Sequence, residues 1–154
     1  RRGAFTHTAD HAHEIPAANR AGVSRRADER NSICAMFTHP PLAHVGLYEA
    51  DALRLVEQGR RISQAVHQMK DISRAKEESE THGLIKLLID EDTGLFLGAT
   101  MMGIAADEII HSISLVMACG GTWQSVREAL PAHPTVTEFL PTIIDRRKAL
   151  LARE

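Results

Sequence analysis

Leu84-Ile85-Lys86-Leu87-Leu88-Ile89-Asp90-Glu91-Asp92-Thr93-Gly94-Leu95-Phe96-Leu97-Gly98-Ala99-Thr100-Met101-Met102 is the stretch that decides the fold. Two nearly continuous apolar runs, 84–90 and 95–102, flank Glu91-Asp92-Thr93-Gly94, and acidic, hydroxyl and glycine residues between two such runs are a hairpin signal. Runs this apolar imply strands buried on both faces, so a helix layer is expected on the outer side of the hairpin.

Upstream, Ser32 to Thr38 reads as a strand, and Pro40-Pro41 turns the chain into a second, Leu42 to Gly46. From Tyr48 to Gln58, Ala52, Leu55 and Val56 recur at helical spacing, and Gly59 stops the helix. Arg61 to Met69 sets Ile62, Ala65 and Val66 among polar residues, as in a half-exposed strand, while Asp71 to Glu80 is charge-dense and reads as a solvated turn or short helix. Downstream, Ala105 to Cys119 is a helix ended by Gly120-Gly121. Its apolar stripe is Ala105, Ile109, Ile110, Ile113, Val116 and Met117. The other side carries Asp107, His111, Ser114 and Ala118 and has no Lys or Arg, which is unusual for a solvated face and suggests an interface. Trp123 to Leu130 is a second helix with Thr122 as its N-cap, and Thr135 to Glu154 reads as a third, broken at Pro141. Strands, a hairpin and then helices make an α+β domain.

Residues 1–31 differ. Asp10 to Ala21 has helical propensity interrupted by Pro16, and Gly22 to Asn31 is a polar, Arg-rich connector, so a boundary is expected near Asn31, with 32–154 as the main domain. The chain opens on Arg1-Arg2-Gly3-Ala4, as if cut from something longer. Its 154 residues suit one ordinary domain. A formal net charge of −2 gives no reason to expect nucleic acid as a partner, and six aromatic residues are too few for base-stacking platforms. No apolar run approaches the ~18 residues of a membrane span. Cys34 and Cys119 are too far apart to read as a redox pair and are expected to be reduced and buried in a cytoplasmic protein.

The sharpest local sequence is His133-Pro134-Thr135-Val136-Thr137-Glu138. A His five residues before a Glu, on a Pro-directed turn, can set the carboxylate against one imidazole nitrogen, fixing the tautomer and leaving the other nitrogen free for proton transfer. Thr135-Val136-Thr137-Glu138 equally matches a capping box, in which Glu138 bonds back to the Thr135 backbone. Spacing leaves both readings open.

The stretch from Ser32 to Asp145 resembles the C-terminal dimerisation (interface) domain of the class I pyridine nucleotide-disulphide oxidoreductases, which include glutathione reductase, dihydrolipoamide dehydrogenase and mercuric-reductase-like members. Thr38-His39-Pro40-Pro41-Leu42-Ala43-His44-Val45-Gly46 is similar to the family's opening strand-turn-strand. Gly83-Leu84-Ile85-Lys86 and Gly98-Ala99 are similar to its central hairpin, and Gly103, Ala106, Glu108 and Ile110 to the helix that follows. His133-Pro134-Thr135 with Glu138 resembles the terminal HPTxSE-type motif, Thr137 standing where Ser is commoner. His39 departs from the Asp or Thr usual there. Mercuric reductases proper have Tyr in place of the His at position 133 and a C-terminal cysteine pair, neither of which this chain has.

The resemblance implies an antiparallel β-sheet with helices packed on one face, and a homodimer. It implies that His133 is the acid/base for redox-active cysteines and Glu138 its orienting partner, both acting on the flavin and disulphide of the other subunit. Residues 3–8 resemble the end of the family's flavin domain, which makes residues 1–31 a remnant of that domain plus a connector and Thr6 a candidate flavin contact. FAD and NAD(P)H are the cofactors implied for the full-length parent, held by upstream domains. The sequence itself has no GxGxxG turn and no CxxxxC pair, so no cofactor is expected on this chain alone, and the determinants of substrate and of NADH against NADPH are expected outside it.

Two other classes compete. Glu108-Ile109-Ile110-His111 is an ExxH at helical spacing, as in di-iron bundles, but such sites need a second copy, and none exists here. His7, His11 and His13 could chelate a metal, although a polar N-terminus accounts for them as well, and no metal site is expected. The runner-up is a non-catalytic dimerisation or interaction module, which explains the missing nucleotide motifs but not the His133/Glu138 pair.

Overall fold

A computed structural model of the chain describes residues 14–24 and 31–151. The chain divides into two compact units, Arg1–Ser32 and Ile33–Glu154. In the first, helix α1 covers the described residues 14–20 and includes Pro16 rather than breaking there. It closes on Gly22, at φ +85°, with the Val23 amide donating to the Ala18 carbonyl. Thr6, His7, His11 and His13 lie outside the described residues.

The second unit is built on the 84–102 hairpin. Strands β1 (Ile33–Met36), β2 (Leu42–Gly46), β3 (Ile62–Gln68), β4 (Leu84–Asp90), β5 (Phe96–Met102) and β6 (Lys148–Ala149) form one sheet in the order β1-β2-β5-β4-β3-β6, each pair antiparallel. The β4–β5 turn is closed by Asp90. Its buried Oδ1 accepts from the amides of Asp92 at 2.9 Å and Thr93 at 3.1 Å, and Gly94, at φ +74°, lets the chain reverse. Opposite Leu88 the register shifts by a bulge. There Gly98 is required, because a Cβ would sit 2.1 Å from the Leu47 carbonyl oxygen.

Because β4 and β5 are central, both faces need cover. Ile85, Leu87 and Ile89 of β4, with Ala43, Val45, Ala65, Ala99 and Met101, face a layer made by α3 (Ser73–Glu77), α4 (Ala106–Ala118) and α6 (Leu140–Asp145). Ile109, Ile110 and Ile113 are buried as the periodicity of α4 predicts, but Ala105 is the exposed N-cap residue at φ +56°, Ala106 takes its place in the stripe, and Val116 and Met117 are only half-buried. α5 (Trp123–Glu128) adds Trp123 and Val126 at the margin. On the opposite face α2 (Glu49–Glu57) lays Ala52 against Ile62, Leu88 and Leu150. The α+β class and the antiparallel sheet stand as read, with α2 adding cover to the second face.

Three local expectations change. Residues 71–80 take the short-helix alternative, α3, but not as a purely solvated segment: Ile72 and Ala75 are fully buried, so it is an amphipathic plug over the sheet. The third helix does not reach Glu154. Pro141 falls in the first turn of α6, where its missing N–H has no intrahelical partner to lose, so it begins a helix instead of breaking one. That helix stops at Asp145, and Lys148–Ala149 pair with β3 as a sixth strand. Cys119 is exposed and Cys34 half-buried, both free, because Cys119 is the C-cap residue of α4 and lies beyond its buried stripe.

Candidate functional site

After α5 the backbone turns extended at Ala129 and runs to His133 largely in solvent, with Leu130 98% exposed and Pro131 half-buried. Val136, 5% exposed, is the first residue to re-enter the core. A 3-10 turn, Thr137–Phe139, then feeds α6, whose Leu140, Ile143 and Ile144 are buried. The His133–Pro134 peptide is cis.

On this turn the two readings of Glu138 separate. The Thr135 hydroxyl accepts from the Glu138 amide at 3.2 Å, as a cap should. The Glu138 side chain does not reciprocate toward Thr135: its Oε2 lies 2.8 Å from Nδ1 of His133. A carboxylate oxygen accepts, so Nδ1 carries the proton and Nε2 is left as the second nitrogen of the neutral ring. The His133 side chain is 80% exposed, that of Glu138 only 15%. An exposed imidazole is thus tethered to a carboxylate rooted in the fold. The Thr135 hydroxyl also donates to the Ala132 carbonyl at 2.7 Å. Next in sequence, the Phe139 ring stacks on buried His67 of β3, with centroids 5.9 Å apart.

An open groove between α3, the start of α4 and residues 134–137 is lined by Arg74, Glu78, Ile104, Glu108, Val136 and Thr137, and lies beside the turn without including His133. The ExxH pair of α4 does not converge on a metal site: Glu108 and His111 are exposed, and no group of metal-ligating residues occurs among the described residues. His39 instead pairs with Glu80 at 3.4 Å.

Sequence reasoning did not find the second bond of Thr135, nor a clasp around Arg147. That guanidinium lies 4.1 Å over the centroid of Trp123, donates to Glu91 at 2.7 Å and to the Ile144 carbonyl at 3.2 Å, joining α5, the hairpin turn and α6. An arginine inside a supposed long helix gave no signal of any of these partners.

A family model described as the pyridine nucleotide-disulphide oxidoreductase dimerisation domain matches residues 33–144. The chain is 35% identical over 137 residues to a dihydrolipoyl dehydrogenase of Synechocystis sp., covering 88% of this chain and 29% of that protein. It is 33% identical over 135 residues to a dihydrolipoyl dehydrogenase of Bacillus subtilis, covering 88% and 28%. Among solved structures, the HOCl-induced flavoprotein disulfide reductase RclA from Escherichia coli superposes with a TM-score of 0.76 at 27% identity, over 86% of this chain and 30% of that one. The chain therefore spans less than a third of the length of these relatives.

Proposed function

The chain belongs to the dimerisation-domain family of the pyridine nucleotide-disulphide oxidoreductases, and from that premise we propose that it donates His133 as an acid/base, oriented by Glu138, to the active centre of the partner subunit. A dimerisation domain of this family implies a homodimer in the parent protein. The enzyme proposed is an FAD- and NAD(P)H-dependent disulphide reductase of the cytoplasm, a compartment in which thiols such as Cys34 and Cys119 stay reduced. The observation that carries the reading is the 2.8 Å pairing of an exposed imidazole with a carboxylate rooted in the fold.

The residues of this chain do not fit a nucleotide: the sequence has no glycine-rich turn to receive a pyrophosphate. The flavin, where bound in the parent, supplies electron transfer, and the part of this chain is the proton. When a thiolate attacks a disulphide substrate, the S–S bond breaks and its electron pair leaves on the departing sulfur. The His133 imidazolium gives that thiolate the proton from Nε2 and becomes neutral imidazole. In reverse, neutral Nε2 takes the proton of an incoming thiol and releases the thiolate nucleophile. Glu138 holds Nδ1–H throughout, so the same nitrogen faces the sulfur in both directions.

The test separates the half-reactions by stopped flow in the flavoprotein that carries this domain. His133→Ala is expected to slow the thiol–disulphide half by about 10²- to 10⁴-fold, the usual worth of a positioned general acid. Reduction of flavin by NAD(P)H, which needs alignment and no distant imidazole, is expected to keep its rate. Equal slowing of both halves, or of neither, leaves His133 a turn residue and favours the non-catalytic module.

A further inference from the structure

We propose that Thr135 is the positioning residue of this site, its single hydroxyl setting the span across which His133 and Glu138 meet. The proposal rests on the proton-handling role of His133 given above and deepens it. Four residues, 134–137, lie between His133 and Glu138, and each side chain ends a rotatable stem, so their meeting depends on the backbone between them. Thr135 Oγ1 acts on both flanks of that backbone. It donates to the carbonyl of Ala132, immediately before His133, at 2.7 Å, and it accepts from the amide of Glu138 at 3.2 Å. One atom therefore ties the approach to His133 to the amide of the very residue whose carboxylate holds its ring.

The other restraints on the turn act elsewhere. Val136 at 5% exposure fixes its depth, and Phe139 on His67 fixes the entry to α6. Neither reaches the backbone before His133, which is exposed. A β-branched side chain suits this duty, since its χ1 is stiff and the hydroxyl holds both bonds in one rotamer. The capping-box pattern is thus used in half: the Thr cap is made, and the freed Glu side chain is turned to the imidazole.

The experiment uses the ring nitrogens of His133, read by long-range 15N–1H correlation in the 154-residue chain at a pH where the ring is neutral. The wild type is expected to show the Nδ1–H tautomer alone. Thr135→Val keeps the shape and removes the hydroxyl, and it is expected to lose that single-tautomer pattern. Thr135→Ser is expected to restore it, and Thr137→Val, in the same turn, to leave it unchanged. Should the valine variant fail to fold, Thr135→Ala carries the same comparison. In the flavoprotein, the thiol–disulphide rate is expected to fall on the order of 10²-fold with KM nearly constant, the cost of a small misplacement. An unchanged tautomer pattern in Thr135→Val, or no rescue by serine, overturns the proposal. A changed pattern with an unchanged rate upholds the positioning and sinks the proton-handling role instead.

Discussion

The imidazole of His44 lies flat against the phenol of Tyr48, ring centroids 3.7 Å apart and planes 4° from parallel. Its Nε2 donates to the Gly46 carbonyl at 3.0 Å, and its Nδ1 accepts from the Thr100 hydroxyl at 2.9 Å, so the neutral ring is fully partnered. Burial holds the His44 pKa below 6.5, although the Gly46 carbonyl and Asp51 oppose it. A lowered histidine pKa means that the unfolded chain binds the proton more readily. The resulting stability is complete above 6.5 and is lost as pH falls through 6.5 toward the folded value. Urea unfolding at about pH 8 and about pH 5 is expected to show a smaller loss on acidification in His44→Gln than in wild type. Equal losses would contradict this.

Asp90 carries the hairpin that carries the fold. Burial would push its carboxyl up, but bonds from Arg60, Thr93 and Asp92 outweigh burial and hold it below 3.8. Its contribution is present above that value and lost as pH falls through the lower folded one. Asp90→Ala leaves two turn amides and Arg60 without their acceptor and is expected to cost about 1–3 kcal/mol in chemical denaturation. Asp90→Asn, which keeps an amide acceptor, is expected to cost less.

The Arg147 clasp predicts an optical signal, because Trp123 is the sole tryptophan. Arg147→Ala uncovers the indole and is expected to shift its emission to the red and to cost about 1–2 kcal/mol. Arg147→Lys is expected to recover only part, since an ammonium cannot stack on the indole and fork to Glu91 at once. Unmoved emission in the alanine variant would argue against the stacked geometry.

The charge-poor side of α4 leaves Leu115 65% exposed, near exposed His111 and Ala118. Sedimentation of the chain at micromolar concentration is expected to give twice the 17.0 kDa monomer mass. Leu115→Glu is expected to shift that species toward monomer while leaving the far-ultraviolet circular dichroism unchanged. A wild-type chain that sediments only as monomer removes the case for α4 as the contact.

Glu138→Gln keeps an acceptor for the His133 Nδ1–H and discards the charge. In the stopped-flow experiment it is expected to slow the thiol–disulphide half less than His133→Ala, and Glu138→Ala to slow it more than the glutamine variant does. Identical rates for glutamine and alanine would show that orientation of the ring contributes nothing.

The hairpin and α4 were legible because each writes a period long enough to see: two strand runs around Glu91-Asp92-Thr93-Gly94, and a stripe through Ile109, Ile110 and Ile113. β6 was not legible. Two residues cannot alternate, and Lys148–Ala149 become a strand only because β3 offers them an edge at Ser63 and Gln64. Pro141 misled because the same ring that breaks a helix interior also starts one, and only the preceding 3-10 turn tells the cases apart. At the site, both fates of Glu138 shared one spacing. Tertiary placement decided, since Val136 and Leu140 anchor the turn with the carboxylate toward His133.

Those two anchors set a timescale. Val136 and Leu140, 5% and 1% exposed, bracket Glu138 on either side. Swinging the carboxylate away with its backbone would drag both side chains out of the sheet's core, so this exposed turn has no inexpensive local opening of its own. Amide exchange at Glu138 is then expected to need the opening of this part of the core, so the carboxylate that meets His133 stays in place even though the ring itself is exposed. Under the proposed function, a second subunit closing over this turn is expected to meet a carboxylate already in place, so that assembly there is rigid-body docking with no ordering step.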